Sequence, residues 1–196
     1  KGVDYLVLCP TSEDALNPTL DEARAAGIRV ITMNQDITGY EDHRDAGVLP
    51  TDYTQYAIDT FTKLAELMNW EGELVVLSAN TEAIFQNGQI AEYKKLLEGD
   101  SRFSKLKLVE ILYGNDDNEK SLNDSLAAFK KYPDLKGMIV PTAVATSAAA
   151  QAVQNTGNKD RLVLMGCANP NAVRDWIKDD VIDCVGFWAQ GLAVML

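Results

Sequence analysis

Apolar and polar positions along this chain alternate between two rhythms. Short, nearly continuous apolar runs read as strands: "VDYLVLC" from Val3, "IRVIT" from Ile28, "ELVVLS" from Glu73, "KLVEILYG" from Lys107, "LKGMIVP" from Leu135, "RLVLMG" from Arg161 and "VIDCVGFW" from Val181. Gly47-Val48-Leu49 reads as a further short strand. Between these runs lie longer amphipathic stretches. Tyr53, Tyr56, Ala57, Phe61, Leu64 and Met68 follow the spacing of one buried helix face, behind Thr51 or Asp52 as a cap. "ALNPTLDEARAAG" predicts a helix closed by Gly27 at the C′ position. Further helices are expected over Thr81 to Glu98, through Leu122, Leu126 and Phe129 up to Pro133, over Ala143 to Asn155, and over Asn171 to Lys178. Strands that are apolar throughout, rather than at alternate positions, belong to parallel sheets covered on both faces by helices. The fold class is therefore α/β with parallel, doubly wound sheets.

The alternation restarts after Trp70, which predicts two lobes. Residues 1–69 form part of a first lobe, residues 70–187 a second, and residues 188–196 a crossover back to the first, with a hinge over Asn69 to Glu73. The chain opens almost on a strand and closes on "GLAVML", the start of an unfinished helix, so it is expected to be a fragment of a longer protein.

Composition narrows the function. A net charge of −11 opposes a nucleic-acid-binding face and a surface that clings to anionic lipid. No apolar run approaches the ~20 residues of a membrane-spanning helix. The three cysteines, Cys9, Cys167 and Cys184, stand at no metal or redox spacing and are expected as buried thiols. His43 is the single histidine and lies in the charged stretch "EDHRD", where a solvated residue is expected rather than a catalytic base. No nucleophile elbow, phosphate-binding loop or dinucleotide fingerprint is present, so no enzyme, metal or cofactor is predicted. "NDDNE" from Asn115 lacks the twelve-residue calcium loop pattern and reads as an acidic helix N-terminus. "VITMNQDITGY" from Val30 leaves two readings open: Asn34, Gln35 and Asp36 either turn the chain or hold a ligand at a carboxyl strand end.

Three windows carry a family resemblance. "KGVDYLVLCPTSEDALNPTLDEARAAGIRVITMNQD" resembles the third and fourth strands of type I periplasmic sugar-binding proteins. "YGNDDNEKSLNDSLAAFKKYPDLKGMIVPTAVATSAAAQAV" resembles the matching segment of their second lobe, and "LMGCANPNAVRDWIKDDVIDCVGFWAQG" is similar to that lobe's last helix and the strand crossing back. Within the family, the rhamnose-binding and autoinducer-2-binding (Lsr-type) group is most similar. The resemblance implies a monomer whose two lobes close on a small sugar or polyol and deliver it to the membrane subunits of an ABC importer. It further implies a periplasmic location or a lipid anchor on the cell surface. The effector-binding core of LacI-type transcriptional regulators shares this fold and is the competing implication.

The same resemblance nominates site residues. Asp36 matches the family's carboxylate at the end of a first-lobe strand, and an ionised Asp accepts two hydroxyl hydrogen bonds. Gln86 and Asn87 match the opening of the first helix of the second lobe, where amides pair with neutral hydroxyls. Phe85 stands where the Lsr-type group carries an acid; it is suited to stack on a sugar ring, which favours a deoxy sugar such as rhamnose over autoinducer-2. Pro141 would offer its carbonyl and Ala143 its backbone N–H at a helix start. Trp188 would stack on the ligand or fill the hinge. Ala168 and Ala189 stand where other members carry polar or acidic groups, so the resemblance implies a pocket poor in charge.

Overall fold

In the computed structural model, residues 2–49 and 51–187 are described, and strand and helix alternate through both stretches. They divide into two compact units: the described residues up to Asp52 with Glu82–Phe85, and Tyr53–Thr81 with Gln86–Phe187.

In the first unit, β1 (Tyr5–Leu8), β2 (Arg29–Met33) and β3 (Ala46–Val48) form a parallel sheet in that order. Helix α1 (Asn17–Ala25) starts with Pro18 in its first turn, where the missing amide costs nothing. It stops where the Gly27 amide reaches the Arg24 carbonyl and that of Ile28 the Ala23 carbonyl; Gly27 takes φ 85°, which a side chain would resist. Leu20 on α1 buries against Val30, Ile37, Leu6 and Leu8. A one-turn helix, α2 (Tyr40–His43), interrupts the charged stretch that the sequence presents as a loop. β1 departs from the two-sided burial expected of it: Leu6 and Leu8 point into the core, whereas Tyr5 is 65% and Val7 55% exposed. Cys9 follows on this open side and is exposed, unlike the buried Cys167 and half-buried Cys184; the expectation of three buried thiols fails at Cys9.

The second unit is a five-stranded parallel sheet. Its strands are β4 (Glu71–Ser78), β5 (Lys105–Tyr113), β6 (Leu135–Val140), β7 (Val163–Cys167) and β8 (Cys184–Gly186), in the order β5-β4-β6-β7-β8. β8 is shorter than the apolar run that predicts it. The helices are α3 (Tyr53–Leu67), α4 (Ile84–Gly99), α5 (Asn118–Lys131), α6 (Ala143–Thr156) and α7 (Arg174–Lys178). Leu74 to Ser78 in β4 are buried without interruption, as a central strand between two helical layers requires. Two apolar clusters cover the sheet. α5 and α6 pack Ala128, Phe129, Ala149 and Val153 on Val75, Leu77, Met138 and Leu164. α3 and α4 pack Ala57, Phe61, Leu64 and Tyr93 on Leu74, Val76, Ile139 and Met165. The Phe61 ring stacks on Tyr93 at 4.7 Å and on Phe103 at 5.5 Å. α3 spends its apolar face on this sheet and belongs with the second unit, which begins at Tyr53.

Candidate functional site

Open parallel sheets bind ligands at the carboxyl ends of their strands, above all where the strand order reverses. In the second unit the chain passes from β4 outward to β5 and then returns to β6 on β4's other side. The switch point therefore lies at the exits of β4 and β6, followed by the first turns of α4 and α6.

Two residues nominated from sequence meet there. Gln86 in the first turn of α4 donates from Nε2 to the carbonyl oxygen of Pro141, the residue after β6, at 3.3 Å. Pro141 is buried, and Ala143 beyond it is exposed at the start of α6. Thr142 is the N-cap residue of α6 but makes no cap bond; its hydroxyl donates instead to Asp116 Oδ1 in the turn after β5. Asn115 and Asp116 both hold positive φ (56° and 51°) in the turn that puts that carboxylate within reach of Thr142. The opening N–H groups of α6 are thus left without a side-chain cap, the arrangement in which a helix start accepts an outside oxygen. Asn87 bends back to its own loop, its Nδ2 donating to the Thr81 carbonyl at 2.8 Å. Phe85 is buried, and Trp188 and Ala189 lie outside the described residues.

The platform behind these groups is rigid. Thr146 on α6 is fully buried; its hydroxyl donates to the Thr142 carbonyl at 2.8 Å and accepts from the Cys167 amide at 3.1 Å. Gly166 makes room for it: a Cβ there would sit 2.3 Å from the Thr146 methyl. Below Pro141 a void of about 10 Å³ is lined by Tyr56, Thr60, Gln89, Tyr93 and Cys167. Gln89 Oε1 accepts from the Tyr93 hydroxyl, while its buried Nε2 has no acceptor among the described residues. Burial pushes the Tyr56 and Tyr93 hydroxyls and the Cys167 thiol upward, so all three stay protonated at neutral pH. This layer holds position and offers no nucleophile. A separate hollow of about 550 Å³ lies at the opposite, amino-terminal edge of the sheet among Asn69, Lys136, Arg161 and Asp183.

In the first unit, Asp36 stands just beyond β2, again at a carboxyl strand end. Asn34 (φ 64°) and Gln35, whose amide bonds the Met33 carbonyl at 2.8 Å, make the turn that delivers it. Arg44 grips Asp36 with both ends of its fork, Nε to Oδ1 at 2.8 Å and Nη2 to Oδ2 at 2.6 Å. Thr32 Oγ1 and the Ile37 amide also donate to Oδ1. Burial works against the charge, but the bonds from Arg44, Thr32 and Ile37 outweigh it and hold the carboxyl below the usual carboxylate range. Sequence reasoning missed Arg44, Thr32, Thr142 and Asp116. Arg44 left only a faint signal, a cation eight positions after an acid within a run of mixed charge.

Among the described residues no cluster of side chains suits a metal ion, and no helix is long and apolar enough to cross a membrane. Known proteins resemble this arrangement. The chain is 24% identical over 181 residues to the D-ribose/D-allose-binding protein of Pseudomonas aeruginosa, covering 91% of this chain and 56% of that one. An ABC transporter solute-binding protein from Clostridium phytofermentas, solved with bound L-rhamnose, superposes with a TM-score of 0.88 at 29% identity. That match covers 97% of this chain and 60% of the other. A sugar ABC transporter protein from Actinomyces odontolyticus gives 0.75 at 28% identity, over 91% and 57% of the two chains. The chain thus spans 56% to 60% of the length of these relatives. With its parallel β/α units, polar strand ends and a family match running over residues 1–194, the chain belongs to the periplasmic binding protein domain family.

Proposed function

We propose that this protein captures a small sugar or polyol-like ligand outside the cytoplasm and passes it to the membrane subunits of an ABC importer, without chemistry of its own. The observation that carries this reading is the meeting of Gln86, Pro141 and the uncapped start of α6 at the switch point of the second unit. An amide, a carbonyl and free helix N–H groups together present neutral donors and acceptors, which match hydroxyls better than they match charged ligands. Within the first unit, Asp36 is an ionised acceptor of the kind that grips adjacent hydroxyls. Phe85, Asn87 and Trp188 complete the proposed contact set. Phe85 in place of an acid, and buried Ala168 at the exit of β7, favour a deoxy sugar of the rhamnose type over autoinducer-2. The relative solved with L-rhamnose supports the same ligand class.

The test is a thermal-shift and calorimetric screen of the full-length protein against L-rhamnose, other deoxy sugars, pentoses, polyols and autoinducer-2. A clear shift with one or a few deoxy sugars is expected. No shift with any of them refutes the capture reading.

A further inference from the structure

We propose that the void beneath Pro141 is a built site for one ordered water molecule, held by Gln89, which braces the Gln86–Pro141 pair from below. The site lies wholly within the second unit and stands whether or not the protein captures a sugar.

Size selects the occupant. The void measures about 10 Å³, close to the ~10–15 Å³ that one water needs, and leaves no room for a second water or for any part of a larger ligand. Its lining then decides between wet and dry, because cavities walled only by apolar side chains stay empty. Ile139, Val140 and Met165 supply apolar wall, but Gln89 of α4, Tyr93 of α4, Tyr56 and Thr60 of α3, and Cys167 at the end of β7 bring five polar side chains to the same space. Burial keeps the two tyrosines and the thiol protonated, and no carboxylate lines the void, so the site suits a neutral molecule rather than a cation.

The proton count shows what is missing. Gln89 is 2% exposed, and its Oε1 accepts the Tyr93 hydroxyl proton at 2.9 Å. Thr60 directs its single proton to the carbonyls of Tyr56 and Ala57, at 2.8 Å and 3.2 Å. The Tyr56 hydroxyl bonds the Cys167 thiol. Gln89 Nε2 carries two protons and meets no acceptor among the described residues. Exchanging the nitrogen and oxygen of that amide does not remove the need; Tyr93 would then accept instead of donate, and an unmet acceptor would replace the unmet donor. A water meets it in either orientation. It accepts from Gln89 Nε2 and donates to the lone pairs that the Tyr93 and Thr60 oxygens retain, which gives it the two to four partners a buried water requires. Gln89 follows Gln86 by three positions, so both project from the same face of α4 one turn apart. The first reaches the Pro141 carbonyl and the second lines the space beneath that residue. A water there links α4 to α3 under the β6 exit and fixes the height at which Gln86 is presented.

The experiment uses the full-length protein without sugar. A high-resolution crystal structure should show a single density peak within about 2.6–3.2 Å of the Gln89 amide and of at least one lining hydroxyl. In solution, the Gln89 side-chain amide protons should give an NOE to water of the sign produced by a molecule that tumbles with the protein. Gln89→Met keeps the length of the side chain without its amide, and Gln89→Leu serves if that variant fails to fold. In either, the density peak should vanish and the Gln86 side-chain amide resonances should move toward those of a free glutamine. A wild-type void without density, or no water NOE at Gln89, overturns the proposal. So does a water that persists in place after the amide is removed, and Gln86 resonances unmoved by the loss of the water overturn the bracing. Wild-type protein that binds no sugar in the screen above refutes the capture reading alone, since neither the density nor the NOE depends on it.

Discussion

Gly166→Ala measures how tightly α6 is seated on β7. The added methyl would lie 2.3 Å from Thr146 Cγ2 and 3.0 Å from its Oγ1, against an ordinary carbon–carbon contact of about 3.5–4.0 Å. More than an ångström must therefore be found by moving α6, and overpacking of this kind costs about 1–3 kcal/mol. The movement also stretches the 3.1 Å bond from the Cys167 amide to Thr146, and a buried N–H left short of its partner costs about 1–3 kcal/mol. Working the other way, alanine narrows the unfolded ensemble and returns about 0.4–1 kcal/mol. The net expectation is a loss of about 2–3 kcal/mol, read from urea unfolding followed by far-UV circular dichroism and by Trp70 and Trp176 fluorescence. Thr146→Ser removes the clashing methyl and keeps the hydroxyl, so it should rescue Gly166→Ala. The double variant should be more stable than the sum of its parts by about 1 kcal/mol or more, the signature of direct contact. A Gly166→Ala protein within about 0.5 kcal/mol of wild type, or strictly additive losses, refutes the packing argument.

Phe61→Ala removes a fully buried ring stacked between Tyr93 and Phe103 and should cost about 3–5 kcal/mol in urea; a loss under about 1 kcal/mol would show that α3 does not pack on the second sheet. Gln86→Ala forfeits a single 3.3 Å bond, so it should barely move the unfolding midpoint while weakening sugar binding about tenfold in calorimetry; unchanged affinity removes Gln86 from the site. The Asp36 carboxyl is depressed in the folded state, so the stability it confers is complete above the ordinary carboxylate range and is lost as pH falls through its folded value. Asp36→Asn should flatten that part of the acid dependence of the urea midpoint, and an acid limb identical to wild type contradicts the assignment.

Much of this was legible in the chain, for identifiable reasons. Continuous apolar runs such as "ELVVLS" announced β4 because a strand covered on both faces has no polar side to show. Gly27 announced the end of α1 because few other residues relax at positive φ. Periodicity shows that α3 has one apolar face but not which sheet that face covers. The four residues of α2 are too few for any period to register. Asp36, Gln86 and Pro141 were nominated individually. The bond between Gln86 and Pro141, and the Arg44 fork on Asp36, join positions brought together only by strand order and turn geometry, which local pattern does not encode.

The one-sided burial of β1 has a colloidal consequence. Among the described residues β1 pairs on one side only, and it shows Tyr5 and Val7 to solvent, with Val3 nearby at 59% exposure, so unused backbone groups stand beside greasy side chains. Such edges template one another. The net charge of −11 opposes that association at low ionic strength, and salt screens the repulsion over a Debye length of about 10 Å at 0.1 M. Samples of this chain should therefore stay dispersed in dilute buffer and drift toward larger particles as salt and concentration rise together.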